Sequence, residues 1–459
     1  MKIRFLGGVR TVTGTCFNLI RGERNILVDC GMYQVPDADN INRRKFDFDP
    51  SEIDYLFLTH SHLDHVGRVP KLIREGFQGK IITTAAAADI TELILYDSAH
   101  IQESDTEWHN RKALRSGFPT KEPLYTRRDV DKVLPLIVRK SYSKTETLCE
   151  GIKYRFVDAG HILGSASLEL WYMDGTGEKK IVFSGDIGKK ENLIVNTPDF
   201  VEESDYLTIE STYGNRNHKS MKESIDELVD VIKSTFKKGG NVIIPSFALG
   251  RTQDLLYILN KLVKEDRLFR INVYIDSPLA EGITRVYAAH PEYFEEGAEE
   301  LFNLESRDAL RLHFTRRIED SIALNKINRE AIIIASSGMC EGGRVRHHLK
   351  HNLWRKESSI VFVGFQAQGT LGREIVDGKK VVNVLGEEIV VRAQIHTLGG
   401  FSAHADKHEL IEWISMFKNS PEIFVVHGEE KASLDFQAAI NERFKFKTHV
   451  PSRGDEFEI

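Results

Sequence analysis

The sequence predicts an α/β protein in which a parallel α/β domain is inserted into a mixed one. Three observations support this prediction. Short strands with hairpin-like turns open the chain, strands and helices alternate after residue 211, and hairpin strands return near residue 390. A chain of 459 residues is also too long for one ordinary core. We therefore expect domain segments at 1–210, 211–390 and 391–459, of which the first and third belong together.

Apolar runs and turn residues place the individual elements. In the first segment we expect strands at 3–6, 16–20, 26–28, 55–59, 81–84, 154–158, 167–172, 181–184 and 207–209. Residues 86–140 are largely helical, and a helix is expected at 66–75, although Pro70 interrupts its pattern. In the second segment, helices at 221–237, 252–263 and 281–289 alternate with strands at 241–245, 272–275, 331–335 and 360–363. This alternation indicates parallel βαβ units.

Composition and charge exclude several classes of protein. The net charge is −6 and the pI about 6.3, so any nucleic acid must be held by a local patch or by bound metal. Four cysteines without a CxxC pair indicate buried thiols in a reducing cytosol rather than a disulfide framework. We see neither a signal peptide nor an apolar run of membrane-spanning length, and expect a cytoplasmic protein without a membrane partner.

The strongest functional signal is the string HSHLDH at residues 60–65, directly after a buried strand. Three imidazoles and a carboxylate are costly to crowd together without a cation, and both groups are common zinc ligands. His161, in a turn of small residues, and Asp186, in FSGDIG, follow two further apolar strands. Singly each fits an ordinary turn residue, but in company with HSHLDH they indicate a metal centre.

These motifs, together with Asp29 in VDCG, resemble those of the metallo-β-lactamase superfamily. The resemblance implies a four-layer αββα sandwich with two zinc ions in a cleft at its edge. It implies that Asp29 orients the metal ligands without binding metal itself. The implied ligands are His60, His62 and His161 for one zinc ion, Asp64 and His65 for the other, and Asp186 as the bridge.

Further motifs resemble the β-CASP branch of this superfamily, and within it the short prokaryotic members. They are ESTYG from Glu210, GGFSAHAD around His404 and VVHGE around His427, with PSFALGR, DSPLA and SSGMCEGGR in the inserted domain. The resemblance therefore covers nearly the whole chain. It implies that His427 completes the second zinc site and that Glu210 and His404 form a pair near the leaving group. Histidine at 427 is typical of members that act on RNA, whereas those that act on DNA usually have valine there.

We therefore expect a zinc-dependent ribonuclease that cleaves single-stranded RNA internally. Water activated by two zinc ions would attack phosphorus and leave 5′-phosphate and 3′-hydroxyl ends. His404, supported by Glu210, would protonate the departing oxygen. The expected catalytic residues are Asp29, Asp64, Glu210 and His404.

A basic segment at 342–351 reads as a glycine turn followed by a helix, whose start would hold phosphates. We expect RNA contacts from Arg344, Arg346 and His347, and weaker ones from Arg251 and Ser402. A solvated basic helix face explains the segment equally well. The family resemblance also suggests a homodimer.

Other functions stay open on the sequence alone. The same scaffold serves DNA nucleases, against which His427 argues, and exoribonucleases that act from the 5′ end. A small-substrate hydrolase would have little use for the inserted domain or for the motifs around Glu210 and His404. A non-catalytic scaffold is disfavoured because all the implied ligands are of suitable types. The dominance of histidine favours zinc over manganese.

Overall fold

The computed structural model describes residues 1–35, 37–295, 298 and 310–459. The chain divides into two compact units. The first consists of Met1–Lys190, Asn196–Asn217 and His404–Ile459, and the second of Glu191–Val195 and His218–Ala403. The first unit is thus built from both ends of the chain. The domain borders at 211 and 390 that the motifs predict stay a prediction.

Two seven-stranded sheets form the frame of the first unit. The first sheet consists of β1 (Lys2–Gly7), β2 (Cys16–Arg21), β3 (Arg24–Val28), β4 (Tyr55–Phe57), β5 (Lys80–Thr84), β6 (Ile137–Lys140) and β22 (Glu456–Glu458). The second consists of β7 (Glu146–Cys149), β8 (Ile152–Asp158), β9 (Ala166–Met173), β10 (Glu178–Phe183), β11 (Tyr206–Glu210), β20 (Glu422–Val426) and β21 (Thr448–His449). Their orders are β22-β1-β2-β3-β4-β5-β6 and β21-β20-β11-β10-β9-β8-β7.

Aromatic side chains from the two sheets meet in one core. Phe5 lies 5.2 Å from Phe424 and Phe17 lies 5.9 Å from Phe183, between ring centroids. These rings are buried, as are the β-branched residues around them. Because side chains alternate along a strand, each sheet presents one apolar face to the other and keeps a second face for helices.

Helices cover the outer faces of both sheets. They are α1 (Ala38–Arg43), α2 (Leu63–Val66), α3 (Val69–Arg74), α4 (Ala85–Arg115), α5 (Arg127–Val133), α12 (Lys407–Ser415) and α13 (Glu430–Phe444). Leu410 and Ile414 of α12 and Phe436 of α13 pack on the second sheet, and α4 packs on β5 and β6. The predicted αββα sandwich is confirmed.

The predicted helix at 66–75 is wrong in its bounds. The chain forms two short helices instead, α2 ending at Val66 and α3 beginning at Val69. Proline lacks a backbone N–H, so Pro70 lies in the first turn of α3, where no donor is needed.

The second unit contains a six-stranded, wholly parallel sheet of order β14-β13-β15-β12-β16-β19. Its strands are β12 (Val242–Pro245), β13 (Asn272–Asp276), β14 (Arg311–Phe314), β15 (Ala331–Ala335), β16 (Ser359–Phe362) and β19 (Gln394–Thr397), with a separate hairpin of β17 (Val381–Val384) and β18 (Glu387–Val390). Its helices are α6 (Met221–Lys237), α7 (Arg251–Lys264), α8 (Pro278–Ala289), α9 (Ile318–Leu324), α10 (Val345–Asn352) and α11 (Leu371–Val376). The predicted parallel α/β insertion is confirmed.

Local signals explain where several helices begin. Ser220 and Glu223 form a capping box at the start of α6, and Asp406 and Glu409 form one at the start of α12. Among the helices that the structure describes, none combines the length and apolar character that crossing a membrane requires.

Candidate metal centre

The loop after β4 holds a concentrated group of buried polar side chains. Because β4 is an interior strand between β3 and β5, the loop at its end lies away from the outermost strands of the sheet. His60 is fully buried and His65 is 1% exposed. The loop is held by backbone hydrogen bonds from Thr15 N to Asp64 O (2.9 Å) and from Cys30 N to His65 O (2.8 Å). Residue 31 must be glycine, since a Cβ there would lie 1.5 Å from Asp64 O.

One group of ligand atoms is formed by His60, His62, His161 and one oxygen of Asp186; we call it the first ligand set. His62 Nδ1 lies 3.1 Å from His60 Nε2 and 3.2 Å from His161 Nε2. Asp186 Oδ2 lies 3.3 Å from His60 Nε2 and 3.6 Å from His161 Nε2. The four ligand atoms lie within 4.8 Å of one another.

The turns after β8 and β10 bring His161 and Asp186 to this point. Ser165 Oγ accepts a hydrogen bond from the backbone N–H of His161 at 2.9 Å. Gly160 has a φ of +61°, and a Cβ on Gly188 would lie 1.7 Å from Gly160 O. The small residues therefore let the two turns approach closely.

A second ligand set consists of Asp64, His65 and His427. His65 Nε2 and His427 Nε2 are 3.2 Å apart, and His427 Nε2 lies 3.5 Å from Asp64 Oδ2. The other oxygen of Asp186, Oδ1, lies 3.4 Å from His65 Nε2 and 3.3 Å from His427 Nδ1. Asp186 therefore faces both ligand sets, with one oxygen toward each.

The chemistry of these groups fits metal ions better than direct hydrogen bonding. Burial lowers the pKa of His60 to about 3 and that of His62 to about 4, so both imidazoles are neutral and offer lone pairs. Asp186 Oδ1 and His161 Nδ1 are buried without a hydrogen-bond partner among the described residues. Neutral imidazoles and carboxylates that converge in this way form a donor set for zinc.

Asp29 belongs to neither ligand set but contacts His65, a member of the second set, and Thr59. Its Oδ2 lies 2.8 Å from His65 Nδ1 and accepts a hydrogen bond from Thr59 Oγ1 at 2.8 Å. Its Oδ1 accepts one from Thr59 N at 2.9 Å. Burial lowers the pKa of His65, but Asp186 and Asp29 outweigh that effect and raise it well above its usual value.

Sequence reasoning missed two threonines that contact the histidines. Thr59 Oγ1 lies 3.1 Å from His60 Nδ1 as well as bonding Asp29, and Thr212 Oγ1 lies 3.2 Å from His427 Nδ1. Thr59 directly precedes the HSHLDH string, and Thr212 lies within ESTYG. That adjacency was an available signal, but threonine at a strand end is common for its β propensity alone.

Beside the two ligand sets lies the pair of Glu210 and His404. His404 Nδ1 is 3.1 Å from Glu210 Oε2 and 3.2 Å from Oε1. Glu210 is fully buried at the end of β11, and its Oε1 accepts a hydrogen bond from Ile187 N at 2.6 Å. Burial lowers the pKa of His404, but the carboxylate of Glu210 outweighs it and raises the pKa to about 9. His404 thus carries a proton at neutral pH.

A tyrosine and an arginine extend this pair toward the surface. The ring centroid of Tyr213 is 6.1 Å from that of His404, and the guanidinium carbon of Arg216 lies 4.7 Å from the Tyr213 ring. Arg216 is exposed. It stands two residues beyond the ESTYG motif and was not predicted.

The expected RNA-contacting residues all lie in the second unit. Arg344 donates to Asp276 Oδ1 (2.7 Å), Thr315 O (3.0 Å) and Arg316 O (3.1 Å), so much of its guanidinium is engaged within the protein. Arg251 is 7% exposed and pairs with Asp254 at 3.0 Å. Ser402 is buried, Arg346 half-buried and His347 exposed. Their contacts with RNA stay predictions.

Three family models match the chain. The metallo-β-lactamase superfamily model matches residues 10–147, the Beta-Casp domain model residues 252–375, and the model described as a Zn-dependent metallo-hydrolase RNA specificity domain residues 388–451.

Curated relatives are similar over nearly the whole chain. Ribonuclease TTHA0252 of Thermus thermophilus is 37% identical over 438 residues, which covers 95% of this chain and 94% of that protein. The transcription termination factor FttA of Methanocaldococcus jannaschii is 31% identical and covers 100% of this chain and 72% of its own length. An RNase J-like protein of the same organism is 30% identical and covers 98% of both chains.

A solved structure supports the fold alone. A protein of unknown function from Enterococcus faecalis matches 99% of both chains with a TM-score of 0.55 and 14% identity.

Proposed function

The chain is a member of the β-CASP family of metallo-β-lactamase-fold hydrolases, and on that premise we propose that it is a zinc-dependent endoribonuclease acting on single-stranded RNA. One observation carries the proposal. Asp186 turns one oxygen to each of two ligand sets, and the Glu210–His404 pair stands beside them, with His404 Nδ1 3.9 Å from Asp186 Oδ2. A metal pair next to a protonated acid supplies what an enzyme can use to hydrolyse a phosphodiester: an activated water and a proton for the leaving oxygen.

Two zinc ions fit the residues present. His60, His62 and His161 would hold one ion, Asp64, His65 and His427 the other, and Asp186 both. When bound, zinc supplies Lewis-acid chemistry, which polarises a phosphoryl oxygen and lowers the pKa of water. Asp29 keeps His65 in one orientation through its hydrogen bond to Nδ1, so that Nε2 faces the second ligand set.

His404 is the residue that we assign to the leaving group. Its Nδ1 is held by Glu210, so Nε2 is the atom that delivers the proton. As water bonds to phosphorus and gives up a proton to solvent, the bond from phosphorus to the 3′ oxygen breaks. That oxygen takes the proton from His404, and solvent then restores the proton on His404. The products are a 5′-phosphate and a 3′-hydroxyl, and the 2′-hydroxyl takes no part.

The relatives support RNA as the substrate class. The relative named a ribonuclease is the more identical one and is covered over 94% of its length, against 72% for the termination factor. Histidine at 427 agrees with an RNA substrate. A homodimer and a cytoplasmic location stay predictions, which light scattering and cell fractionation would check.

The test uses single-stranded RNA and the matching DNA, each labelled at the 5′ end in one sample and internally in another. We expect RNA to be cut internally, about two zinc ions per chain by elemental analysis, and no cleavage by Asp64→Ala. Release of single nucleotides from the 5′ end would make the protein an exoribonuclease. Cleavage of DNA in preference to RNA would overturn the substrate class.

The Glu210–His404 pair has a matched control in the same unit. His449 also pairs with a glutamate, its Nε2 lying 2.7 Å from Glu422 Oε1, and its side chain is 26% exposed against 20% for His404. We expect His404→Ala to slow cleavage by about 100- to 10,000-fold with zinc retained, because a general acid contributes on that order. His449→Ala should cleave at the wild-type rate. Equal rates for both variants would remove His404 from the mechanism.

A further inference from the structure

Arg68 is a buried arginine whose charge has no carboxylate partner among the residues that the structure describes. Only 5% of the residue is exposed. Its guanidinium carbon lies 5.1 Å from the ring of Tyr33 and 5.2 Å from that of Phe46. Arginine is almost never buried unless it is paired, so the two aromatic faces and the acceptors nearby must offset the loss of hydration.

The acceptor that the structure gives this side chain is the carbonyl of Gly31, and the backbone of Arg68 bonds the same turn. Arg68 Nε donates to Gly31 O, and the backbone N–H of Arg68 donates to Cys30 O at 2.9 Å. The turn begins at Asp29, whose φ of +59° is unusual for a residue with a Cβ. A conformation of this kind persists only where its surroundings hold it.

The same turn grips His65 at two points. Asp29 Oδ2 lies 2.8 Å from His65 Nδ1, and Cys30 N donates to His65 O at 2.8 Å. Residues 29 and 30 therefore fix both the ring and the backbone of one residue of the second ligand set. Both bonds act on His65 directly, whereas Asp29 reaches the first ligand set indirectly, through Thr59, whose Oγ1 lies 3.1 Å from His60 Nδ1.

We propose that Arg68 is a positioning residue for the second ligand set, because it clamps the 29–31 turn that orients His65. The inference rests on the proposed zinc centre. Its consequence is selective. Loss of the clamp lowers the affinity for the zinc ion held by Asp64, His65 and His427 and leaves the affinity for the other ion unchanged. A residue that only stabilised the fold would affect both ions or neither.

Lys71 offers a matched control on the neighbouring helix turn. Its side chain is 1% exposed, and its ammonium lies 4.0 Å from the same Phe46 ring. It donates to Arg44 O at 2.6 Å and pairs with Glu75 at 3.1 Å, so it does not touch the 29–31 turn. Lys71→Met removes a buried cation from the same cluster without releasing the clamp.

The experiment titrates zinc from the full-length protein with a chelator and measures the affinity of each of the two equivalents. We expect Arg68→Met to lower the zinc affinity of one equivalent by about tenfold and to leave that of the other within twofold. Residues that orient a ligand change metal affinity by about 10- to 100-fold. Lys71→Met should leave both unchanged. Asp29→Asn should weaken the same equivalent, and the double variant with Arg68→Met should lose less than the product of the two effects, because both act through His65.

Three outcomes would overturn the role of Arg68: wild-type affinity at both equivalents in Arg68→Met, equal weakening of both equivalents, or independent effects of Arg68→Met and Asp29→Asn. If Arg68→Met does not fold, Arg68→Lys is the deciding variant, because it keeps the charge but lacks the planar guanidinium whose Nε bonds Gly31 O. Wild-type zinc affinity in Arg68→Lys would also overturn the role. A wild-type protein that binds no zinc would instead overturn the proposed metal centre.

Discussion

Two buried carboxylates, Asp186 in the first unit and Asp276 in the second, both have histidine neighbours but differ in how closely those neighbours bind them. Both are at most 2% exposed, and both face histidine. Asp276 Oδ2 lies 2.7 Å from His348 Nε2 and accepts from Ser321 Oγ at 2.6 Å. Its Oδ1 accepts from Arg344 at 2.7 Å and from Thr315 Oγ1. Asp186 lies 3.3 to 3.6 Å from ring nitrogens of four histidines in the two ligand sets, and its Oδ1 has no hydrogen bond among the described residues.

The difference separates a structural ion cluster from a candidate metal centre. Around Asp276 the protein itself supplies the positive charge and the donors, at hydrogen-bond distance. Around Asp186 the imidazoles stand farther away, and those of His60 and His62 are neutral because burial lowers their pKa values. The raised pKa of His65 offsets one of the negative charges of Asp186, Asp64 and Asp29, and the remaining charge is left for metal cations to balance. Residue types alone do not distinguish the two clusters, but their distances do.

The largest effect should come from Asp186→Asn. The amide keeps the shape of the side chain but lacks the charge that faces both ligand sets. We expect zinc to fall from about two ions per chain to one or fewer, and cleavage to fall by more than about 100-fold, beyond the loss typical of a residue that only orients a ligand. Elemental analysis and the RNA assay measure both. Full zinc content with wild-type cleavage would contradict the bridging position.

Asp276→Asn should instead act on stability. Breaking the buried ion pair leaves the guanidinium of Arg344 uncompensated and costs about 3–5 kcal/mol. Urea unfolding followed by fluorescence should show this loss, while zinc content stays at the wild-type value. Asp230→Asn, at an exposed position of α6, is the control and should change stability by less than about 0.5 kcal/mol. A loss of zinc in Asp276→Asn would contradict the claim that the Asp276 cluster is structural and the Asp186 cluster a metal centre.

The stabilising effect of Asp276 should also depend on pH. Burial raises its pKa, but hydrogen bonds from His348, Ser321, Thr315 and Arg344 outweigh burial and hold it well below the usual range. A depressed pKa contributes stability above the unfolded value of about 4, and that contribution is lost as the pH falls toward the folded value. The difference in unfolding free energy between wild type and Asp276→Asn should be constant near neutral pH and shrink below about pH 4. A difference that grows with acid would refute this origin.

The smallest effects come from two hydroxyls, one beside each cluster. Thr59 Oγ1 bonds Asp29 at 2.8 Å, and Ser321 Oγ bonds Asp276 at 2.6 Å. We expect Thr59→Val to weaken zinc binding by about tenfold. Ser321→Ala should lower the unfolding free energy by about 1 kcal/mol and leave zinc binding unchanged. The opposite pattern would show that the clusters had been assigned the wrong way round.

Much of the architecture was predictable because it depends on local patterns. Alternating strands and helices predicted the parallel sheet, and histidines and aspartates placed directly after buried strands predicted which side chains converge. Thr59 and Arg68 were missed because the partners assigned to them, Asp29 and the turn after it, lie elsewhere in the chain. Only Thr59 had a local signal, its place next to the HSHLDH string.

Arg344 shows that a local pattern can also suggest a role that a distant partner explains instead. Its place after a glycine turn predicted a phosphate contact, but the structure gives its guanidinium Asp276, 68 residues earlier in the chain, as a partner. A basic side chain at a helix start has the same appearance in sequence whether its partner is a ligand or a distant carboxylate. The helix at 66–75 failed for a local reason, since Pro70 can begin a helix more readily than continue one.

The contact between His65 and His427 also sets an order of events during translation. The two residues are 362 positions apart. At a synthesis rate of about 5–20 residues per second, roughly 20–70 s separate their emergence from the ribosome. A growing chain therefore cannot complete the second ligand set until His427 has been synthesised, 362 residues after His65.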